Sequence, residues 1–114
     1  MSFAPDLQLL KNRFGLDAFR KGQNEIIQSV LNERDTVAVL PTGGGKSLCY
    51  QFIAVAKNQL VIVVSPLIAL MKDQVEGLQR RGIPSGALFS GQSLEDKRKI
   101  FQNLAQGGAY VLYL

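Results

Sequence analysis

Apolar and polar residues alternate along the chain in two patterns, one with the spacing of helices and one typical of buried strands. Leu7, Leu10 and Phe14 share one helical face and predict a first helix. Pro5 and Asp6 are expected to open it and Gly15 to end it. The same spacing predicts further helices over about residues 23–31, 46–57, 67–78 and 93–104. Short apolar runs predict strands over residues 36–40, 60–65, 86–89 and 110–114.

The order of these elements predicts an α/β fold. Strands that alternate with helices of about ten residues form βαβ units, so the sheet is expected to be parallel with helices on both faces, in three layers. The last run, Tyr110-Val111-Leu112-Tyr113-Leu114, has the composition of a buried strand yet stands at the end of the sequence. We therefore expect the sheet to be truncated after its fourth strand.

A glycine-rich stretch joins the first predicted strand to the helix that follows it. In such a loop the backbone N–H groups converge on a phosphate only where no side chain crowds them, and consecutive glycines allow this. The predicted phosphate-binding residues are Thr42, Gly43, Gly44, Gly45, Lys46 and Ser47. Lys46 is expected to reach the β- and γ-phosphates, and the Ser47 hydroxyl is a suitable Mg²⁺ ligand.

This stretch predicts a P-loop that binds a nucleoside triphosphate, with ATP and Mg²⁺ as the expected ligands. Leu40 stands where the general motif begins with glycine. The alternative interpretation is a glycine-rich turn beside an unrelated Lys-Ser pair.

Composition narrows the chemistry further. The 114 residues include 13 Lys and Arg, 9 Asp and Glu, a single cysteine and no histidine, for a net charge of +4. Histidine-based catalysis and the usual zinc sites are excluded, and the modest positive charge permits a nucleic-acid partner without requiring one. A lone Cys49 and the lack of a signal-peptide pattern predict a cytoplasmic protein, or a nuclear one in a eukaryote, with no membrane span.

Three blocks of sequence stand in a specific order and spacing. The first combines Phe14-Gly15, Phe19-Arg20-Lys21-Gly22-Gln23 and Glu25-Ile26-Ile27, the second runs from Leu40 to Gln51, and the third from Val64 to Val75. From about Phe14 to the end, the chain resembles the RecQ family of ATP-dependent DNA helicases. The resemblance implies the N-terminal part of a RecA-like first motor domain, with a helical adenine-recognition region over residues 1–33 and an incomplete P-loop core over residues 34–114.

The resemblance also implies functional residues. Gln23 would hydrogen-bond the edge of adenine, Arg20 would pack on one face of the base, and Leu16 stands where the family usually has an aromatic residue. Single-stranded DNA would be contacted along its phosphates by Ser65, Pro66, Lys72 and, more weakly, Ser90. For the third block, a plain strand-to-helix turn is the alternative interpretation. The intact protein is expected to couple ATP hydrolysis to 3′ to 5′ unwinding of duplex DNA in recombination and repair.

Hydrolysis in this fold needs an Asp at the end of a buried strand and a neighbouring Glu. None of the 9 acidic residues directly follows an apolar strand. We therefore expect these residues alone to be inactive. A non-enzymatic module that binds nucleotide and nucleic acid without turnover is the alternative function.

Overall fold

The structure is a computed structural model that describes residues 6–40 and 45–114. In chain order its elements are α1 (Leu7–Phe14), α2 (Gln23–Leu31), α3 (Lys46–Lys57), β1 (Leu60–Val63), α4 (Ile68–Arg80), β2 (Ser85–Ala87), α5 (Leu94–Ala105) and β3 (Tyr110–Tyr113). They form two compact units, one up to Lys57 and one from Asn58 onward. None of the helices in the described ranges is long and apolar enough to cross a membrane.

Local hydrogen bonds set the ends of the predicted helices. The Asp6 side chain caps α1 by accepting from the backbone N–H groups of Gln8 and Leu9, and Gly15 ends that helix with a φ of 70°. Ser93 caps α5 in the same way, by accepting from Asp96 N at 3.1 Å. The five predicted helices are therefore confirmed within a residue or two of their expected ends.

A different ending closes α2. Arg34 N donates to Ser29 O and Glu33 N donates to Val30 O, which is the Schellman arrangement. It places Glu33 in the left-handed region with a φ of 61°, where glycine is usual. The Thr36 hydroxyl then bonds the Ser29 hydroxyl and Arg34 O at 2.8 and 2.9 Å.

The strand predicted over residues 36–40 is wrong for this structure. That segment is irregular, and Val37 and Val39 are 95% and 91% exposed. A run of apolar residues becomes a strand only where a neighbouring strand pairs with its N–H and C=O groups. Within the described residues the sheet contains only β1, β3 and β2, in that order, so residues 36–40 have no ladder partner.

All three strands of the second unit run parallel, as predicted. Leu60 pairs with Tyr110 in the β1–β3 ladder, and Ser85 pairs with Val111 in the β2–β3 ladder. Every residue of β3 is buried, as expected of a central strand, whereas Leu60 and Ile62 of β1 are exposed. The strands are shorter than predicted, but the α/β class with a parallel sheet is confirmed.

Helices cover both faces of this sheet. On one face Ser85 Oγ donates to Val75 O of α4 at 3.4 Å, so α4 covers the face that carries Ser85 and Val111. On the other face Ile100 of α5 packs against Tyr110 and Leu112. Successive side chains of a strand point to opposite faces of the sheet. With α4 on one face and α5 on the other, this unit has three layers.

Candidate functional site

In the first unit, a turn closed by two reciprocal hydrogen bonds precedes α2. Gln23 N donates to Arg20 O at 3.0 Å, and in return Arg20 N donates to the Gln23 side-chain oxygen at 2.7 Å. Gly22 lies between them with a φ of 89°, and a Cβ there would come within 3.0 Å of Leu40. These contacts require glycine at residue 22 and fix the direction in which the Gln23 amide projects.

The other end of that amide reaches the residue before α3. Gln23 Nε2 donates to Gly45 O at 3.0 Å, and the Gln23 side chain is only 2% exposed. Gly45 has a φ of 80°, and a Cβ on it would overlap the Gln23 amide nitrogen. A single buried amide therefore connects two segments that lie 22 residues apart in the sequence.

Aromatic side chains pack residues 14–20 against α3. Phe52 of α3 is fully buried, and the Phe19 ring meets it edge-on with centroids 5.2 Å apart. Phe14 at the end of α1 lies 6.2 Å from the same ring. Such contacts contribute about 0.5–1.5 kcal/mol each beyond their buried area, so they help to keep residues 14–20 against α3.

The start of α3 has the chemistry of an anion site. Lys46 is the first residue of the helix and is exposed, and Ser47 is half-buried beside it. The first N–H groups of a helix have no intrahelical partner and carry the positive end of the helix dipole. Thr42, Gly43 and Gly44 lie outside the described residues. Burial raises the pKa of the nearby Cys49 thiol, partly offset by a backbone hydrogen bond, which suits a packing role.

Two further predicted residues, Leu16 and Arg20, are exposed in the first unit. Leu16 is 42% exposed, and its N–H donates to Leu10 O at 3.5 Å. The Arg20 side chain is exposed, and its Cδ lies 3.9 Å from the Cβ position of Gly45. Arg20 therefore borders the segment that leads into α3.

In the second unit, residues of the predicted nucleic-acid block lie at the carboxyl edge of the sheet. Ser65 N donates to Leu114 O at 2.9 Å, and Ser65 Oγ accepts from Leu67 N at 3.3 Å. The hydroxyl thus supports the strand-to-helix turn as an acceptor, and in the part of the chain that the structure describes its own proton has no acceptor. Pro66 is exposed in the same turn.

Lys72 and Ser90 lie near that edge too. Ser90 is exposed in the loop after β2, and β1 and β2 run parallel on either side of β3. Because neighbouring strands lie about 4.8 Å apart, the ends of β1 and β2 are separated by roughly 10 Å. Phe89 belongs to the same loop as Ser90. The ammonium of Lys72, on α4, lies over the Phe89 ring, 5.1 Å from the ring centroid.

No described strand is directly followed by an acidic residue: β1 leads to Val64, β2 to Leu88 and β3 to Leu114. Across residues 6–40 and 45–114, no group of three His, Cys, Asp or Glu side chains is arranged to hold a metal ion. The Ser47 hydroxyl stays a predicted Mg²⁺ ligand.

Comparison with known proteins identifies the class. Residues 20–113 match the DEAD/DEAH box helicase family, so the chain belongs to that family. The predicted resemblance to RecQ helicases is confirmed by the individual relatives that follow.

The relatives are helicases from distant organisms. The chain is 47% identical over 108 residues to the ATP-dependent DNA helicase RecQ of Haemophilus influenzae, covering 95% of this chain and 17% of that protein. It is 43% identical over 107 residues to the RecQ of Synechocystis, covering 94% of this chain and 22% of that protein. A probable ATP-dependent DNA helicase RecS of Bacillus subtilis is 46% identical over 92 residues, 81% of this chain and 18% of that protein. The chain thus spans only about a fifth of the length of these relatives.

Several contributors to these sites could not be predicted from sequence. Nothing in the sequence pattern showed that Phe52 anchors Phe19, that Gln23 reaches Gly45, or that Phe89 supports Lys72. The only available signal was composition, since buried aromatic residues and a glutamine beside a glycine turn often have packing or hydrogen-bonding partners.

Proposed function

We propose that this chain is the ATP-binding portion of a RecQ-type DNA helicase, which as an intact protein couples ATP hydrolysis to 3′ to 5′ unwinding of duplex DNA. The observation that best supports this proposal is the pair of hydrogen bonds made by the Gln23 amide. They connect Arg20, in the turn expected to bind the base, to Gly45, the residue before Lys46. In this proposal, the turn joined to Gly45 by this side chain binds the base, and the segment that follows Gly45 binds the phosphates.

In this proposal adenine reaches the amide of Gln23, which is 2% exposed in the structure, only after the side chains around it move aside. An amide offers two N–H donors and two acceptor lone pairs, and the bonds to Arg20 N and Gly45 O use one of each. Counting bonds among residues 6–40 and 45–114 only, one donor and one acceptor are left over, which is what the edge of adenine requires. In this proposal Arg20 packs on one face of the base and Leu16 makes aliphatic contact with the other.

The phosphates are assigned to the loop and the start of α3. Gly45 has a left-handed backbone with a φ of 80°, of the kind that phosphate loops use, and Lys46 carries an exposed charge at the positive end of the helix. Thr42, Gly43 and Gly44 complete the proposed cradle. Ser47 is the proposed Mg²⁺ ligand, and the ion would neutralise charge on the phosphates when bound.

DNA is the proposed second ligand, bound along its phosphates by Ser65, Pro66, Lys72 and Ser90. Support comes from the carboxyl edge of the sheet, where parallel α/β folds commonly bind their ligands. Lys72 is the one cation among these residues. We further propose that these 114 residues bind nucleotide without turnover, because no acidic residue follows a described strand.

Titration with a fluorescent ATP analogue, with and without Mg²⁺, tests the nucleotide site. Lys46→Ala is expected to abolish magnesium-dependent binding. The matched control is Lys57→Ala, which removes the same charge from the last residue of α3, where the ammonium pairs with Glu33 at 4.0 Å. Unchanged binding in Lys46→Ala would refute the site, and DNA-stimulated ATP hydrolysis by the 114 residues would refute the claim of no turnover.

A further inference from the structure

The structure also contains a cavity of about 300 Å³ in the second unit, between α4, the loop after β2 and α5. Its polar lining includes Lys72, Glu76, Gln92 and Asp96, and its aromatic wall is Phe89. Among the described residues the Lys72 ammonium forms no ion pair, although both carboxylates line the same cavity. What restrains the ammonium is the face of the Phe89 ring, 5.1 Å from its centroid.

A ring and a carboxylate restrain a lysine with different consequences. A carboxylate would neutralise the ammonium and compete with any phosphate for its N–H donors. An aromatic face attracts the cation through its quadrupole and leaves the full charge and the donors in place. The ring therefore favours one position of the Lys72 ammonium by about 0.5–1 kcal/mol and leaves it able to bind an anion.

Gln92 holds the loop that carries the ring. Its amide oxygen accepts from Phe89 N at 3.3 Å, and its amide nitrogen donates to Ala87 O at 2.8 Å. Gly91 between them has a φ of 83°, which favours glycine. The loop is anchored to the sheet directly before Phe89, because Leu88 N donates to Tyr113 O at 2.9 Å.

We propose that Phe89 and Gln92 are positioning residues for nucleic-acid binding. Gln92 fixes the loop, the loop presents Ser90 and fixes the Phe89 ring, and the ring directs the Lys72 ammonium toward a phosphate of a single strand. This inference rests on the proposed DNA contact of Lys72 and adds the residues that place it.

The test measures the binding of a fluorescently labelled oligothymidylate by anisotropy across a range of salt concentrations. Lys72→Ala is expected to weaken binding and to lower the slope of log K against log salt by about 0.7, the value for one phosphate contact on a single strand. Phe89→Leu is expected to weaken binding about two- to fivefold and to lower the slope in the same direction. Gln92→Ala should resemble Phe89→Leu, whereas Phe89→Tyr, which keeps the ring, should bind as the unmodified protein does.

A double variant separates positioning from general damage. In a Lys72→Ala background, Phe89→Leu is expected to cause no further loss, because the ring would act only through Lys72. Lys99→Ala is the charge-matched control, since Lys99 pairs with Glu95 on α5 at 3.8 Å. It should leave the slope nearly unchanged.

The outcomes distinguish the two proposals. If Lys72→Ala has the DNA affinity of the unmodified protein, or the same affinity as Lys99→Ala, the proposed DNA contact is wrong. If Lys72→Ala weakens binding while Phe89→Leu changes neither affinity nor slope, the positioning role alone is overturned. Equal losses in Phe89→Tyr and Phe89→Leu, or additive losses in the double variant, would also overturn it.

Discussion

Replacing Gln23 by alanine should destabilise the first unit even without nucleotide. The substitution removes two hydrogen bonds, from Arg20 N at 2.7 Å and to Gly45 O at 3.0 Å. A hydrogen bond in a folded protein contributes about 0.5–1.5 kcal/mol net, so the expected loss in the free energy of unfolding is about 1–3 kcal/mol. The side chain is 2% exposed, so water replaces these bonds poorly and the upper half of that range is expected.

Urea unfolding followed by circular dichroism, in the absence of nucleotide, measures this loss. Asn24→Ala is the control, because Asn24 is the next residue of α2 and is exposed. Substitutions at such surface positions usually change stability by less than about 0.5 kcal/mol. Gln23→Ala and Asn24→Ala losses of equal size would refute the bridging role of the amide.

A second variant separates the two bonds. Gln23→Glu keeps an acceptor for Arg20 N but loses the donor to Gly45 O and faces that carbonyl with a negative charge. The repulsion favours the protonated carboxyl in the folded state, so its folded pKa lies above the unfolded one. The variant should therefore gain stability as pH falls through that pKa and lose it as pH rises. A variant whose stability relative to the unmodified protein does not change with pH would contradict the proximity of the two groups.

Three further predictions concern backbone and packing. Glu33→Gly should raise the free energy of unfolding by about 0.5–1 kcal/mol in urea titrations, because Glu33 has a φ of 61°; a loss of stability would contradict the Schellman ending of α2. Gly86→Ala should cost about 1–3 kcal/mol, since a Cβ would overlap the Tyr110 hydroxyl and approach Ile100 to 3.1 Å; adding Tyr110→Phe should restore part of the loss, and purely additive effects would refute the overlap. Burial raises the pKa of the Tyr110 phenol above its ordinary 10.0, so the folded state keeps a proton that the unfolded state loses. Stability should fall as pH rises above that value, and more steeply than in Tyr110→Phe; parallel pH profiles would contradict it.

Local sequence features predicted the five described helices correctly. Asp6 and Ser93 became caps because a carboxylate or hydroxyl directly before a helix can accept from N–H groups two or three residues further on, without help from distant residues. Gly15 ended α1 for an equally local reason, since a left-handed residue without a Cβ satisfies the last carbonyls. The family resemblance was also readable directly from ordered motifs.

The strand predicted over residues 36–40 does not form, because a strand depends on a distant partner. The run Thr36-Val37-Ala38-Val39-Leu40 has the composition of a buried strand, yet Val37 and Val39 are almost fully exposed. Composition indicates that a segment suits a sheet, but the hydrogen bonds of a strand belong to its neighbour. The predicted roles of Thr42, Gly43 and Gly44 lie outside the described residues and stay predictions.

The sequence by itself determined the helices, the α/β alternation and the glycine-lysine-serine string, because each depends on residues a few positions apart. Only the tertiary structure decided that Gln23 connects to Gly45, that Phe89 rather than a carboxylate restrains Lys72, and that β3 lies between β1 and β2. Those contacts join residues far apart in the chain. Their partners are selected by packing and by the pairing of buried polar groups, which no local pattern specifies.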